Sequence, residues 1–146
     1  MTIREWVQHC SDALEKAGVF FGHGTDNALD EAAWLVLSVM GIAPDGQFNE
    51  WDQPVDNERA ETVEGLLNQR IASRKPLAYL LGEAWFCGLR FRVDEQVLVP
   101  RSPISELIGQ GFAPWVNPGR ISRRLDLCTG SGCIAIASAA NINGLR

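Results

Sequence analysis

The stretch DLCTGSGCIAIASA, Asp126 to Ala139, sets an acid ahead of a glycine-rich turn and a run of small apolar residues. Preceded by Arg123 and Arg124, it predicts a strand over RRLDLC, a tight turn over TGSG, and a helix beginning near Gly132. A strand-to-helix turn presents free backbone N–H groups and the positive end of a helix dipole. Gly130 and Gly132 permit positive φ and close approach of a ligand. Taken alone, Gly130-x-Gly132-x-x-Ala135 fits a dinucleotide-binding pattern, and an ordinary strand–helix turn fits equally.

Asp126 separates these readings. A dinucleotide places its pyrophosphate at such a turn, and a carboxylate there repels it. S-adenosylmethionine carries an ammonium and a sulfonium and no phosphate, so a carboxylate beside the turn suits it, directly or through water. The plain alternative for Asp126 is a turn-capping residue.

Upstream, the pattern is helical. Ile3, Trp6, Val7, Cys10, Leu14 and Ala17 recur at helical spacing, with Thr2 able to cap the start and Gly18 to end it. A second helix is expected at about 27–40, capped by Thr25 or Asp26, with Asp30 and Glu31 favoured in its first turn by the helix dipole. It is apolar on most faces from Ala32 to Met40 and is expected to be the most buried element. After turn chemistry in APDGQFNEWDQPVDNE, Asp56 caps a third helix at about 57–73, with Val63, Leu66, Leu67, Arg70 and Ile71 on or near one face. Pro76 opens a short fourth helix closed by Gly82.

The pattern changes at Gly82. Aromatic and β-branched residues around Gly88 and Asp94-Glu95 predict two or three short strands at about 84–87, 90–93 and 97–99, including a hairpin. Ser102 caps a helix with Pro103 at its first position and Ile104, Leu107 and Ile108 inside. The expected fold is α plus α/β: a helical domain over 1–82, a β-hairpin connector over 83–101, and over 102–146 the opening strand and helix of an α/β domain.

Composition bounds the function. The 146 residues are 46% apolar and 21% charged, with formal charge −5. The acidic balance argues against non-specific nucleic-acid binding, and Arg120, Arg123 and Arg124 read as a solvated strand entry. Cys10, Cys87, Cys128 and Cys133 form no C-x-x-C pair, and His9 and His23 lie far from the last two in sequence, so no metal site is expected. MTIREWVQHC contains Glu5 and lacks a signal-peptide core, and no apolar run approaches the ~20 residues a membrane span needs. Reduced thiols in the cytoplasm are the expectation.

Together, GEAWFCGLRFRVDEQVLVPRSPISELI and LDLCTGSGCIAIASA resemble the HemK-type protein-glutamine N(5)-methyltransferases. The W-F-C-G-L and V-L-V-P-R-S-P segments are closest to the branch acting on the third protein of the large ribosomal subunit. The release-factor branch has D-x-G-T-G-S-G and P-R-P-D-T-E; here Cys128 stands for the first glycine and Ser102-Pro103-Ile104 for P-D-T. The resemblance covers Arg74 to Ala139 closely and the first 73 residues in pattern.

It implies a Rossmann-like methyltransferase domain, S-adenosylmethionine as cofactor, and a ribosomal protein as substrate bound through the helical domain. Asp126, Cys128, Thr129, Gly130, Ser131 and Gly132 would hold the methionine part of the cofactor. Phe86 would lie near the reacting methyl, and Pro100 and Arg101 would lead into the site. Phe86 and Trp85 also read as hairpin core, Pro100 as a strand end, and Arg101 as an ion-pair partner of Glu106 or a nearby acid. Cys128 and Cys133 read as small buried residues rather than nucleophiles.

The family's amide clamp, N-P-P-Y, and the acid that holds the ribose do not occur in these residues. The expectation is therefore the front part of an enzyme, inactive as this chain alone, with self-association through uncovered strand edges left open. The same resemblance leaves Leu125, Leu127, Ile134 and Ile136 without the sheet that normally covers them. Two other readings remain: a non-catalytic protein-binding module retaining the helical domain, and a dinucleotide oxidoreductase, against which Asp126 and the upstream motifs speak.

Overall fold

The computed structural model describes residues 1–43, 46–117, 120 and 122–142. In chain order these form α1 (Ile3–Lys16), α2 (Ala28–Met40), α3 (Asn57–Ser73), α4 (Leu77–Leu81), β1 (Glu83–Phe86), β2 (Leu89–Arg92), α5 (Ile104–Gly109) and α6 (Cys133–Asn141). They fall into two compact units, Met1–Gly82 and Glu83–Arg146. No described helix is long and apolar enough to cross a membrane.

In the first unit every early N–H of α1 finds an acceptor. Thr2 and Glu5 form a reciprocal capping box: the Thr2 hydroxyl oxygen accepts from the Glu5 N–H at 3.2 Å, and the Glu5 carboxylate accepts from the Thr2 N–H at 2.8 Å. The N–H groups of Ile3 and Arg4, which no helical carbonyl can reach, donate at 2.9 Å to the carbonyls of Gln53 and Trp51. The turn-rich segment before α3 is thereby strapped to the start of α1.

Asn27, rather than Thr25 or Asp26, caps α2. Its side-chain oxygen accepts from the Asp30 N–H at 2.9 Å, while the Thr25 hydroxyl is directed to Glu31 at 3.3 Å. The Asp56 cap on α3 is as expected: its carboxylate accepts from the Arg59 N–H at 2.9 Å. That hydrogen bond, more than the Arg59 charge, holds the Asp56 carboxyl below its usual range. The cap is therefore at full strength above the unfolded carboxyl's pKa and weakens as pH falls through the folded one.

The core joins Ile3, Cys10 and Leu14 of α1, Ala32, Leu35 and Val36 of α2, Val63 and Leu67 of α3, and Leu77 and Ala78 of α4. The apolar stretch of α2 is central, with Ala28, Glu31, Ala32 and Trp34 through Leu37 all buried. One polar pair lies among these residues. Arg70 Nε donates to Glu31 Oε1 at 2.7 Å, with the two side chains 2% and 5% exposed. Arg70 Nη2 also donates to the Phe20 carbonyl at 2.9 Å.

In the second unit β1 and β2 form an antiparallel hairpin, pairing Glu83 with Arg92 and Phe86 with Leu89. The two turn residues, Cys87 and Gly88, both have positive φ, 50° and 74°, which matches the twist of a two-residue hairpin. Phe86, Ile108, Cys133 and Ala137 make a second core, with Cys87, Leu89, Phe91, Phe112 and Ile134 packed against it.

Two expected strands do not form. At 97–99 the chain is irregular, because Asp94 turns it: its carboxylate accepts from the Gln96 N–H at 2.9 Å and its carbonyl from the Val97 N–H at 3.3 Å. The strand expected over RRLDLC is likewise absent, since residues 122–126 are irregular and the turn begins at Leu127. A strand exists only by pairing, and the single described sheet is the self-satisfied hairpin. Leu125 and Leu127 accordingly stand 79% and 75% exposed. Ile136 is also exposed, whereas Ile134 finds cover against the second core. The α5 helix starts at Ile104 with Pro103 in the cap position, one residue later than expected, and the Ser102 hydroxyl accepts from the Ile104 N–H at 3.2 Å.

Candidate functional site

The glycine turn lies just ahead of α6. Cys128, Gly130 and Gly132 have φ of 58°, 55° and 74°, so alternate residues adopt the left-handed region. The Gly132 N–H donates to the Thr129 carbonyl at 2.9 Å, closing the turn onto the helix. Gly132 is the N-cap, and no side chain caps α6. The helix therefore opens with backbone donors that no side chain claims, the arrangement that receives a carboxylate or other anion. A Cβ on Gly130 would meet nothing within 4 Å, so the space beside the turn is open.

Asp126 is half-buried, and its Oδ2 accepts from the Thr129 hydroxyl at 3.1 Å. No strand feeds the bend, but the carboxylate is folded back onto the turn through Thr129. One carboxylate and a set of backbone N–H groups thus stand within a few residues. That donor set matches a zwitterion carrying both an ammonium and a carboxylate, and it disfavours a phosphate.

Thr129 and Gly130 are exposed, and Ser131 and Gly132 are half-buried. Phe86 is 5% exposed and belongs to the second core with Cys133, the first residue of α6. Pro100 is buried and Arg101 exposed, in the irregular segment between β2 and α5. Cys133 is buried as expected; Cys128 is exposed, which corrects the expectation of a buried thiol. The flanking Leu127 and Thr129 are exposed too, so the turn as a whole lies outside the second core.

Left-handed backbone costs a non-glycine residue about 1 kcal/mol or more. Cys128→Gly is expected to raise the stability of the second unit by about 1 kcal/mol, read as a higher urea midpoint. An unchanged or lower midpoint would show that the Cys128 side chain offsets the strain through contacts of its own.

The four thiols are all free and differ in burial. Burial, and secondarily the Glu64 charge, pushes the Cys10 thiol up to about 12. Cys87 is raised by burial and then by the nearby Cys133. Iodoacetamide at mildly alkaline pH is expected to label Cys128 first and Cys10 only on unfolding, because the thiolate is the nucleophile. Peptide mapping that finds Cys10 modified in the folded protein would contradict that order.

Sequence reasoning missed the buried Glu31–Arg70 pair. Its only signal was Arg70 among Val63, Leu67 and Ile71 on the apolar side of α3.

Residues 5–82, just over half of the chain, match the model of the PrmC N-terminal domain, and the chain belongs to that family. Curated relatives extend the likeness through the glycine turn. A protein of Bordetella pertussis named ribosomal protein uL3 glutamine methyltransferase is 47% identical over 139 residues, covering 94% of this chain and 47% of its own. Proteins of the same name from Xylella fastidiosa (strain 9a5c) and Francisella tularensis are 46% and 43% identical, each covering 93% of this chain and 44% of their own. The chain spans about half the length of the curated relatives it matches.

Proposed function

We propose that these residues belong to an S-adenosylmethionine-dependent methyltransferase that modifies a glutamine side-chain amide of ribosomal protein uL3 in the cytoplasm. The unit Met1–Gly82 recognises the substrate, residues 83–101 connect, and residues 102–146 begin a Rossmann-like donor-binding domain. The supporting observation is the left-handed Cys128–Gly132 turn, with Asp126 folded onto it, in a chain 47% identical to a protein named for that activity.

When bound, S-adenosylmethionine supplies an electrophilic methyl on a positively charged sulfur. The work of this chain is to bind and orient. Asp126 would hold the ammonium, with Thr129 fixing the carboxylate's rotamer, and the turn's N–H groups would hold the carboxylate. Ser131 and Gly132 shape the turn's inner wall. Phe86 acts from the core by seating the first residue of α6, and Pro100 and Arg101 lead toward the site.

An amide nitrogen is a weak nucleophile, because its lone pair is delocalised into the carbonyl. Transfer requires groups that fix the amide and align nitrogen, methyl and sulfur. N-P-P-Y, the resembled family's clamp, does not occur in these residues, so the 146-residue chain is expected to transfer no methyl above background.

Calorimetric titration of the chain with S-adenosylmethionine and with a nicotinamide dinucleotide tests the donor site. Binding of the first alone, weakened about tenfold or more in Asp126→Asn, supports the reading, since a lost charge-assisted contact of about 1.4 kcal/mol is a factor of ten. Preference for the dinucleotide overturns it. Radiolabel transfer to uL3 at rates comparable with a full-length relative would overturn the expected inactivity. The unformed strand ahead of the turn favours one second reading, a non-catalytic module whose helical unit binds a protein partner. Capture of uL3 without any donor binding would select it.

A further inference from the structure

The segment between α1 and α2, Val19 to Thr25, shows one of its two phenylalanine rings to water. Phe20 is 75% exposed, yet the backbone beneath it is tied from several sides. The Phe20 carbonyl accepts from buried Arg70 at 2.9 Å, and the Gly18 carbonyl from Arg74 at 3.0 Å. The Gly22 N–H donates to the Thr25 carbonyl at 2.7 Å, and the Thr25 hydroxyl donates to Glu31, the partner of Arg70. Gly24, at φ 121°, lies so close to the Trp34 ring that a Cβ there would be 3.3 Å from it. The His23 ring meets the Phe20 ring edge-on at 5.8 Å. This ring is therefore displayed on an ordered loop. The buried ion pair thus has a second contact, holding the loop backbone at the Phe20 carbonyl.

Charge is divided unequally along the chain. Residues 1–82 hold thirteen acids against six bases, while residues 83–146 hold five acids against seven bases. The helical unit thus carries the net negative charge of these 146 residues. Around the loop itself the charges are mixed, with Asp26 and Asp30 following it and Arg74 holding its start. The loop supplies an apolar anchor, and the unit as a whole supplies a negative field.

We infer that Val19–Thr25 is a preformed docking loop on which Phe20 anchors a basic segment of the ribosomal-protein substrate. This rests on the proposed uL3 reading and names the surface and the chemistry of recognition. A protein built to lie on RNA phosphates carries lysine and arginine surface, and until RNA covers it an acidic domain attracts it. The two contributions act on different rates. Long-range charge sets the association rate and its salt dependence, and a buried aromatic anchor sets the dissociation rate.

The test immobilises the 146-residue chain and flows uL3, purified free of RNA, at about 50 and 200 mM salt, a range over which screening of exposed charges rises markedly. The wild-type chain is expected to associate several-fold more slowly at the higher salt. Phe20→Ala is expected to dissociate about tenfold faster, with an association rate within about twofold of wild type. Leu29→Ala, which removes another exposed apolar side chain of the same unit, is expected to change neither rate. Because Phe20 is exposed, its variant keeps the wild-type melting temperature, which separates lost docking from lost folding. Equal dissociation of wild type and Phe20→Ala overturns the anchor while leaving the methyltransferase reading to stand on donor binding and methyl transfer. Failure of the wild-type chain to bind uL3 at the lower salt overturns the docking surface.

Discussion

Arg70→Ala is expected to destabilise the helical unit by about 3–5 kcal/mol, because it leaves the Glu31 carboxylate buried without its partner. The pair is 2% and 5% exposed, so neither group can recover its hydration without opening the core. The loss extends to the Phe20 carbonyl, which Arg70 also serves. The companion change discriminates the cause. Glu31→Leu with Arg70→Met removes both charges, keeps the volume, and is expected to restore most of the stability. Urea unfolding monitored by circular dichroism checks both. A loss below about 1 kcal/mol for Arg70→Ala would mean that Glu31 is solvated in the folded state after all. The restored double variant has a further use. If the pair exists to shape the loop, stability returns but fast dissociation from uL3 persists.

Phe86→Ala is expected to cost about 3–5 kcal/mol in the second unit, the usual result of emptying a buried aromatic position. Phe86 shares its core with Ile108, Cys133 and Ala137, so the cavity opens beneath the first turn of α6. A unit of this size has little stability to spare, and the variant is expected to lose its cooperative transition. Phe86→Leu keeps most of the volume and is expected to cost about 1 kcal/mol. Amide hydrogen exchange of α6 across a urea series measures both. A small effect of Phe86→Ala would return Phe86 to the alternative role, a ring beside the reacting methyl. The leucine variant can therefore test donor binding without confounding it with folding.

Local chemistry made much of this protein legible from sequence. The four helices of the first unit follow from apolar spacing together with Thr2, Asp56 and Gly82, whose capping depends only on residues within one turn. The hairpin follows from Gly88 between two aromatic and β-branched runs, with each strand one residue earlier than expected and Cys87 in the turn, and α6 from the glycines ahead of it. At the α2 start, the sequence reading offered Thr25 or Asp26, and the cap is Asn27. Asn27 accepts from the Asp30 N–H, while Thr25 is engaged by the buried Glu31, a contact that the local pattern does not announce.

The remainder depended on residues far apart in the chain. Glu31 and Arg70 are 39 residues apart; Glu31 alone reads as a first-turn helix charge, and Arg70 on the apolar side of α3 does not name its partner. The segment RRLDLC has every local mark of a strand and forms none among the described residues, because strand hydrogen bonds are made to a neighbour and not within the segment. Sequence by itself determined the helices, the hairpin and the glycine turn, since their hydrogen bonds close within a few residues. Tertiary structure alone decided which charges are buried, which aromatic ring is displayed and which strand is formed, since each of those outcomes is a contact, or a missing contact, between distant parts of the chain.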